Sequence, residues 1–377
     1  MKAVRQPEVT IVYKHLPHYR VDFYNGLRVW LQERGVDLRL VVGQPIGQDV
    51  KKDDEGRVEW AERVRNVHVE IANRSIVWQP VLRRVRKSDL VVVEQANKLL
   101  VNNFLLAWRW FGGPRVAYWG HGFNRNRDTA GRISEAIKRR MVRRADWWFA
   151  YTESTTRYLV GLGVRAERAT TVNNAIDVRQ LREAVERMQA NSPERQEVSL
   201  RCVYLGSLYA SKRLDFLIAA GDEIARVLPG FALEVIGDGP QRESLEADAE
   251  SRPWLRLHRA LYGDDLVAVV LDGALLLVPG GVGLVILDSF AFGLPMVTVD
   301  VPTHGPEIDY LEPGTNGVML PSGTTPGEYA AAVTELLNDD SRMSLLRRGC
   351  AASADLYTLE AMIERFGNGV IRALDRG

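Results

Sequence analysis

The chain has 377 residues, of which 46% are hydrophobic and 26% charged, and this predicts a globular protein of about two domains. The most apolar region, 266–299, is broken by aspartates and prolines and offers no clean membrane span. The first residues lack the apolar core of a signal peptide, and the two cysteines, Cys202 and Cys350, have no metal-ligand spacing. A cytoplasmic protein in a reducing compartment is therefore expected.

The charge is divided between the two halves of the chain. Residues 1–195 carry 35 Lys and Arg against 22 Asp and Glu, whereas residues 196–377 carry 14 against 26. The basic half predicts contact with an anionic surface or substrate, although solvated surface charge accounts for part of such a count. No RNA- or DNA-binding motif with interleaved aromatic residues is present, so nucleic acid is not an expected partner.

The first half alternates predicted strands and helices. Apolar runs predict strands over 9–13, 37–42, 67–71, 90–93, 116–119, 147–151 and 169–172, and helical spacing predicts helices over 21–34, 79–86 and 99–111. This βα repetition predicts a parallel doubly wound sheet in a first domain of residues 1–190. The polar segment 181–197 is predicted to lead into a second domain, residues 196–356.

The loop after the first strand is unusually polar and cationic, and it contains His18, Tyr19 and Arg20. Because it follows a strand of an α/β unit, we expect it to face the crevice where such sheets bind ligands. A solvated loop is the alternative interpretation.

A second polar loop follows the predicted strand 116–119. His121 lies between two glycines, and the loop continues through Asn124 and Arg125. The near-neutral pKa of a histidine suits hydrogen bonding or proton transfer, so His121 is a candidate catalytic residue, with a purely structural histidine as the alternative.

A cationic helix is predicted over 131–145. Apolar residues fall on one side of it and five Lys or Arg residues crowd another. With the basic residues at 83–87, it could lie on anionic lipid. An ordinary amphipathic helix with a cationic outer face explains the same pattern.

The second half repeats the βα pattern. Strands are predicted over 200–205, 231–236, 274–278 and 318–320, and helices over 214–227 and 284–292. The last helix, 357–377, is predicted to return to the first domain.

A glycine-rich turn, 279–283, joins the buried strand 274–278 to the helix that follows it. The free N–H groups and positive dipole at the helix start favour an anionic group, and glycines let the backbone approach it. Asp288, one turn into the helix, could accept hydrogen bonds from a ribose hydroxyl. Tight αβ packing alone can also demand such glycines, so the motif by itself is weak.

Two further loops of the second half carry polar residues. Gly206 and Ser207 precede Lys212 and Arg213, whose charges would suit a diphosphate, with surface solubility as the alternative. The strand 231–236 ends in Gly237 and Asp238.

Together these motifs resemble the retaining GT-B glycosyltransferases of family 4. The similarity over the last 180 residues or so is carried by Gly206 with Lys212, by 235–240, by 279–295, by Pro306-Glu307-Ile308 and by Asn316-Gly317. The first half matches more loosely, through His18-Tyr19-Arg20, Gly120-His121-Gly122 and 174–177.

The resemblance implies two Rossmann-like domains facing across a cleft, with the nucleotide-sugar held mainly by the second and the acceptor mainly by the first. It implies transfer with net retention and without an obligatory metal or other cofactor. The acceptor-binding residues would be His18, Tyr19, Arg20, Asn124 and Arg125. His121 would lie near the transferred sugar or the acceptor.

The resemblance also assigns donor-binding residues. Lys212 would neutralise the diphosphate, Asp288 would bind ribose where the family has its second glutamate, and backbone amides of Gly281, Val282, Gly283 and Leu284 would contact phosphate and sugar. Gly206, Ser207, Arg213, Gly237 and Asp238 complete the predicted donor site.

Two positions depart from the family pattern. Gly280 stands where the family has the first glutamate of its pair, and Ser207 stands where an arginine is common. Three explanations stay open, namely an unusual donor sugar, compensation for the lost carboxylate by Arg213 or His304, and weak activity.

Three functions are compatible with the sequence. The first is a glycosyltransferase, at the cytoplasmic face of a membrane, that adds a sugar from UDP- or GDP-sugar to a lipid-linked or polysaccharide precursor. The second is a nucleotide-sugar epimerase of the same fold. The third is a non-catalytic nucleotide-sugar-binding scaffold for another transferase.

Overall fold

The computed structural model describes residues 5–46, 55–71, 74–96, 99–122, 142–190 and 199–375. The chain forms two compact units, residues 1–177 with 359–377, and residues 178–358. The division falls at residue 177 and not near 190, because the segment predicted as a connection is a helix, Arg179–Ala190, that packs against helices of the second unit.

The first unit is built on a parallel sheet, which confirms the predicted fold class. The strands of this unit are β1 (Glu8–Tyr13), β2 (Asp37–Val42), β3 (Glu62–Arg63), β4 (Val67–Ile71), β5 (Arg74–Trp78), β6 (Leu90–Glu94), β7 (Arg115–Gly120), β8 (Trp147–Ala150) and β9 (Ala169–Thr171). Of these, β4 and β5 form a separate hairpin. The seven strands of the sheet are ordered β3-β2-β1-β6-β7-β8-β9.

The second unit contains a six-stranded parallel sheet. Its strands are β10 (Arg201–Leu205), β11 (Ala232–Ile236), β12 (Leu255–His258), β13 (Leu275–Val278), β14 (Met296–Val299) and β15 (Gly317–Leu320). They are ordered β12-β11-β10-β13-β14-β15, and every strand pair is parallel.

Helices follow the strands as expected for βα repetition. Within the described residues they are α1 (Val21–Gln32), α2 (Leu100–Arg109), α3 (Glu153–Gly161), α4 (Arg179–Ala190), α5 (Leu214–Val227), α6 (Arg242–Glu250), α7 (Gly263–Val270), α8 (Val285–Phe292), α9 (Pro326–Leu337), α10 (Asp340–Leu356) and α11 (Leu359–Asp375). Short 3₁₀ turns occur at His18–Arg20, Ala166–Arg168, Ala210–Lys212 and Pro306–Tyr310.

One part of the first unit differs from the prediction. The strand at Val67–Ile71 does not join the parallel sheet but pairs antiparallel with β5, and the helix predicted over 79–86 is a series of turns. Alternation of apolar and polar residues in Val67–Ile71 is typical of a strand with one exposed side, which suits a hairpin outside a sheet that is covered on both faces. The predicted cationic helix over 131–145 lies outside the described residues except for its last four.

Helix α11 packs on the first unit. Phe366 stacks on Phe149 of β8, with ring centroids 4.0 Å apart, and meets Phe23 of α1 edge-on at 5.3 Å. Arg115 donates to the carbonyl oxygens of Ala373 and Leu374 at 2.7 and 3.0 Å, which satisfies groups left open at the helix end. The C-terminal segment is thus part of the core of the first unit.

Candidate functional site

The strand order places a crevice in the second unit at the carboxyl end of its sheet. From β10 the strands β11 and β12 are added on one side of the strand, and β13, β14 and β15 are added on its other side. The direction of the strand order therefore reverses between β10 and β13. In open α/β sheets ligands bind where the connections diverge in this way. The two loops at this point are 206–213 and 279–284, which contain most of the predicted donor-binding residues.

These two loops are joined by one main-chain and one side-chain hydrogen bond. The Gly281 amide donates to the carbonyl oxygen of Ser211 at 2.9 Å, and the Lys212 ammonium donates to the carbonyl oxygen of Gly281. Burial lowers the pKa of Lys212. The Lys212 amine is therefore held against the glycine-rich turn.

Gly280 has no room for a side chain. A Cβ at Gly280 would lie 2.5 Å from the carbonyl oxygens of Ser211 and Lys212, far inside van der Waals contact. A glutamate at this position, as in the family pattern, requires the β10–α5 loop to move away. The missing carboxylate and the close packing of Lys212 are thus two aspects of one local arrangement.

His304 fastens the same turn from the side of β14. Its Nδ1 accepts a hydrogen bond from the Val282 amide at 3.0 Å, and its Nε2 lies 2.9 Å from the carbonyl oxygen of Val299. An accepting Nδ1 requires the proton on Nε2, so the imidazole is neutral. Since His304 is buried and uses both nitrogens on the backbone, it positions the turn rather than replacing the lost carboxylate.

Asp288 lies in the first turn of α8, directly behind the glycine-rich turn. Burial alone raises its pKa to about 7. A carboxyl group with a pKa near 7 is only partly charged at neutral pH. Hydrogen bonds donated by a ligand would stabilise its charged form. This environment fits the predicted contact with ribose hydroxyls.

Arg213 is held beside the same turn in a strained backbone conformation. It has φ 54°, in the left-handed region that few non-glycine residues adopt, and its guanidinium lies 4.2 Å from the Phe216 ring centroid. One guanidinium nitrogen lies 3.4 Å from the carbonyl oxygen of Pro279. Strain of this kind persists where the surroundings enforce it and is frequent at ligand sites.

The loop after β11 completes this edge of the second sheet. The Gly206 amide donates to the carbonyl oxygen of Ile236 at 3.0 Å, and a Cβ at Gly237 would overlap the carbonyl oxygen of Gly206. The Asp238 carboxylate accepts from the Ala260 amide at 3.1 Å.

The Ser207 main chain and the Asp238 side chain already have protein partners. The Ser207 carbonyl oxygen accepts from the Tyr204 hydroxyl at 2.8 Å, and Arg242 and Arg259 lie 3.6 and 3.7 Å from the Asp238 carboxylate. Asp238 therefore fixes the loop that follows β12.

The first unit has its own point of reversal, between β1 and β6. His121 follows the neighbouring strand β7, and its ring centroid lies 6.3 Å from that of Tyr151 at the end of β8. The Gly122 amide donates to Gln95 Oε1 at 2.7 Å, so the residue after β6 fixes the histidine loop.

Three further residues lie at this edge and were not predicted, namely Glu94, Gln95 and Tyr151. Each ends a predicted strand or follows it within two residues, so the crevice rule could have found them once the strand order was known.

Arg20 lies beneath the surface, with 1% of its area exposed. It donates to Asn174 Oδ1, and its guanidinium lies 5.0 Å from the Trp119 ring centroid and 5.3 Å from that of Tyr19. This burial argues against a direct contact between Arg20 and the acceptor. Arg20 instead ties the loop after β1 to the segment after β9.

The other predicted acceptor residues are placed differently. His18 is exposed, and its ring lies 5.9 Å from that of the half-buried Tyr19, in an edge-to-face arrangement. Asn124 and Arg125 lie outside the described residues. In the part of the chain that the structure describes, no three His, Cys, Asp or Glu side chains are grouped to share a metal ion, and no helix has the length and apolarity to span a membrane.

Comparison with known proteins gives two matching family models, one for each half of the chain. Residues 25–180 match the model described as Glycosyltransferase Family 4, and residues 199–339 match Glycosyl transferases group 1. The chain belongs to the family 4 glycosyltransferases. The second model includes all the predicted donor-binding residues of this glycosyltransferase.

Curated relatives match parts of the glycosyltransferase chain. Alpha-D-kanosaminyltransferase of Streptomyces kanamyceticus is 30% identical over 167 residues, 42% of each chain. D-inositol 3-phosphate glycosyltransferase of Thermobispora bispora is 27% identical over 251 residues, 62% of this chain and 57% of the relative. The match thus spans about half the length of these relatives.

The fold is that of GT-B glycosyltransferases. The crystal structure of Anabaena HepE in complex with UDP superimposes with a TM-score of 0.66 at 13% identity, covering 97% of this chain and 99% of that one. At this identity the likeness concerns the fold alone.

Proposed function

We propose that this glycosyltransferase moves a sugar from a nucleoside diphosphate-sugar to a lipid-linked or polysaccharide acceptor, with retention at the anomeric carbon. The observation that carries the proposal is the meeting of Lys212 with the glycine-rich turn 279–283 at the point where the second sheet reverses its order. A lysine, a glycine-rich turn and a helix start at one place suit a diphosphate.

The chemical step needs stabilisation of the leaving group. The bond between the anomeric carbon and the diphosphate oxygen breaks as a bond to the acceptor oxygen forms, and negative charge develops on the departing oxygen. The Lys212 ammonium and the amides of Gly283 and Leu284 would interact more strongly with that charge than with the intact donor, which lowers the barrier. The amides of Gly281 and Val282 already donate to protein acceptors and shape the turn. In front-face transfer the acceptor hydroxyl gives its proton to the same departing oxygen, so no dedicated base is required.

The proposed donor site needs no metal for this step, because Lys212 and main-chain amides supply the positive potential that a divalent ion supplies elsewhere. Asp288 would bind the ribose. UDP or GDP is the proposed nucleotide. The UDP bound in the HepE structure supports a uridine donor, since that protein shares the fold.

The acceptor is proposed to bind the first unit, beside His18, Tyr19 and His121. That unit carries 34 Lys and Arg against 22 Asp and Glu, whereas the second carries 15 against 26. A net charge of +12 supports contact with a lipid diphosphate or with an anionic membrane surface, at its cytoplasmic face.

Two other functions make different predictions. An epimerase of the same fold would convert the donor to an isomeric sugar nucleotide with no acceptor present. A non-catalytic scaffold, which the absence of a carboxylate at Gly280 supports, would keep its cellular role after Lys212→Ala, whereas a transferase would lose turnover.

Thermal unfolding of the full chain with UDP, GDP, TDP and ADP, and with their common sugars, tests the proposal. A ligand that binds only the folded protein raises the unfolding midpoint, by RT ln(1 + [L]/Kd) in free energy. We expect one nucleoside diphosphate and its sugar to raise the midpoint, and the raise to be lost in Lys212→Ala. If no nucleotide shifts the midpoint, the proposed function is wrong.

A further inference from the structure

The outer side of α2 is apolar and exposed. We define the α2 face as five apolar side chains of this side and of the turn that follows the helix, which are Leu100, Phe104, Ala107, Trp110 and Phe111. Phe104 is 54% exposed, Trp110 66% and Phe111 85%. The opposite side of the helix is buried in the core, and the helix carries no charge before Arg109. Apart from Asn103, the exposed residues of α2 before Arg109 are apolar, and an exposed apolar patch of this kind usually marks an interaction surface.

The hairpin extends the α2 face. Val67 lies opposite Trp78 in the ladder and Val69 lies opposite Ile76, so all four side chains share one side of the hairpin. Val67 and Val69 are about half exposed, and the Trp78 ring meets Phe104 edge-on at 5.1 Å. The hairpin is not part of the parallel sheet, so this side is free to face outward with α2.

Positive charge is concentrated in the part of the sequence that includes α2. Residues 83–144, which include α2, carry 15 Lys and Arg against 4 Asp and Glu, nearly all the net charge of the first unit. Arg144 lies 4.6 Å over the Trp110 ring, and both Arg143 and Arg144 are exposed. An aromatic ring under a guanidinium is suited to the boundary between acyl chains and anionic headgroups.

We propose that the α2 face with the hairpin inserts into the headgroup layer of an anionic phospholipid membrane, with Trp110 and Phe111 deepest. The charge selects this occupant: a second copy of the chain would bring two strongly cationic segments together, whereas an anionic leaflet attracts them by about 1 kcal/mol per Lys or Arg near its surface. This insertion rests on the proposed membrane role. It assigns membrane binding to the apolar α2 face and the hairpin as well as to the basic segments.

A probe at Phe111 tests the insertion. Cys202 and Cys350 are fully buried, so Phe111→Cys in the full chain gives one accessible thiol for an environment-sensitive fluorophore. Tyr262→Cys is the matched control, because Tyr262 is 75% exposed in the second unit. We expect a blue shift at position 111 with phosphatidylcholine vesicles containing phosphatidylglycerol, none with phosphatidylcholine alone, and none at position 262.

A double variant measures the apolar contribution. Trp110→Ser with Phe111→Ser should weaken partitioning to the anionic vesicles by about tenfold or more, since burying even part of two aromatic side chains contributes over 1 kcal/mol. Tyr262→Ser should partition as the unchanged chain does. Unfolding midpoints and sedimentation of all three proteins show whether folding or self-association has changed.

Three results would overturn the inference. The first is an unchanged fluorescence of the probe at 111 although the chain binds the vesicles. The second is a double variant whose partitioning to the vesicles equals that of the unchanged chain. The third is a dimer of the unchanged chain that the double substitution converts to a monomer. The vesicle assay uses neither donor nor acceptor, so its failure leaves nucleotide binding, measured without lipid, as a separate test of the proposed function.

Discussion

The main chain of Lys212 lies directly against Gly280, leaving 2.5 Å between the Lys212 carbonyl oxygen and the place of a Cβ. The glycine is therefore needed to bring the lysine loop onto the turn 279–283. We expect Gly280→Ala to lower the free energy of unfolding by about 1–3 kcal/mol, as overpacking does, and to weaken nucleotide binding.

The matched control is Gly327→Ala in the first turn of α9, where a Cβ meets nothing within 4 Å. Denaturant unfolding and nucleotide titration of both variants provide the comparison. Equal stability and equal nucleotide affinity in the two would mean that the close approach at Gly280 has no energetic role.

The stability of the fold should depend on pH through Asp288. Because burial raises its pKa from 3.8 to about 7, the folded protein holds a proton that the unfolded chain releases at lower pH. This contribution to stability is full below about pH 4 and is lost as the pH rises to about 7. Asp288→Asn should therefore gain stability relative to the unchanged chain between pH 5 and pH 8.

Thermal unfolding at the two pH values measures this difference, with the exposed Asp300→Asn as control. The same titration should affect the donor, since ribose hydroxyls donate to the charged form of Asp288. Nucleotide affinity should rise with pH through 7 in the unchanged chain and not in Asp288→Asn. A pH dependence identical in both proteins would remove Asp288 from the donor site.

Arg20 should matter for stability rather than for acceptor affinity. Lysine cannot reproduce the planar donor fork that contacts Asn174 among aromatic rings, so Arg20→Lys should cost about 1–3 kcal/mol. The exposed Arg165→Lys, in the same unit, should cost little. Denaturant midpoints decide the matter, and a stable Arg20→Lys with reduced acceptor affinity would restore the surface role first expected for Arg20.

Much of the fold could be predicted because buried parallel strands are continuous apolar runs, as in β6 and β13. The hairpin was missed because Val67–Ile71 alternates like any half-buried strand, and only its pairing shows that it leaves the sheet. The helices α9 and α10 lie beyond the last motif that the sequence shows. Local pattern predicts an element but not its partner.

The residues of the candidate site were likewise predictable only in part from the sequence. Lys212 and Asp288 could be found because their spacing from glycines is fixed along the chain. The strand order β1-β6-β7-β8 brings together Glu94, Gln95 and Tyr151. This order cannot be deduced from the local sequence pattern. The burial of Arg20 likewise depends on packing, because a cationic loop has the same sequence whether it faces solvent or aromatic rings.

The most direct test of the donor site is the affinity of nucleoside diphosphate for the full chain and for Lys212→Ala. Lys212 is the only lysine after residue 138, and the exposed Arg226→Ala removes a positive charge elsewhere in the same unit. Loss of a charge-assisted hydrogen bond of 1.5–3 kcal/mol predicts roughly a 10- to 150-fold weaker Kd for UDP or GDP in Lys212→Ala by calorimetric titration. Arg226→Ala should bind as the unchanged chain does. A Kd that Lys212→Ala leaves unaltered would contradict the account, because the diphosphate would then lie elsewhere.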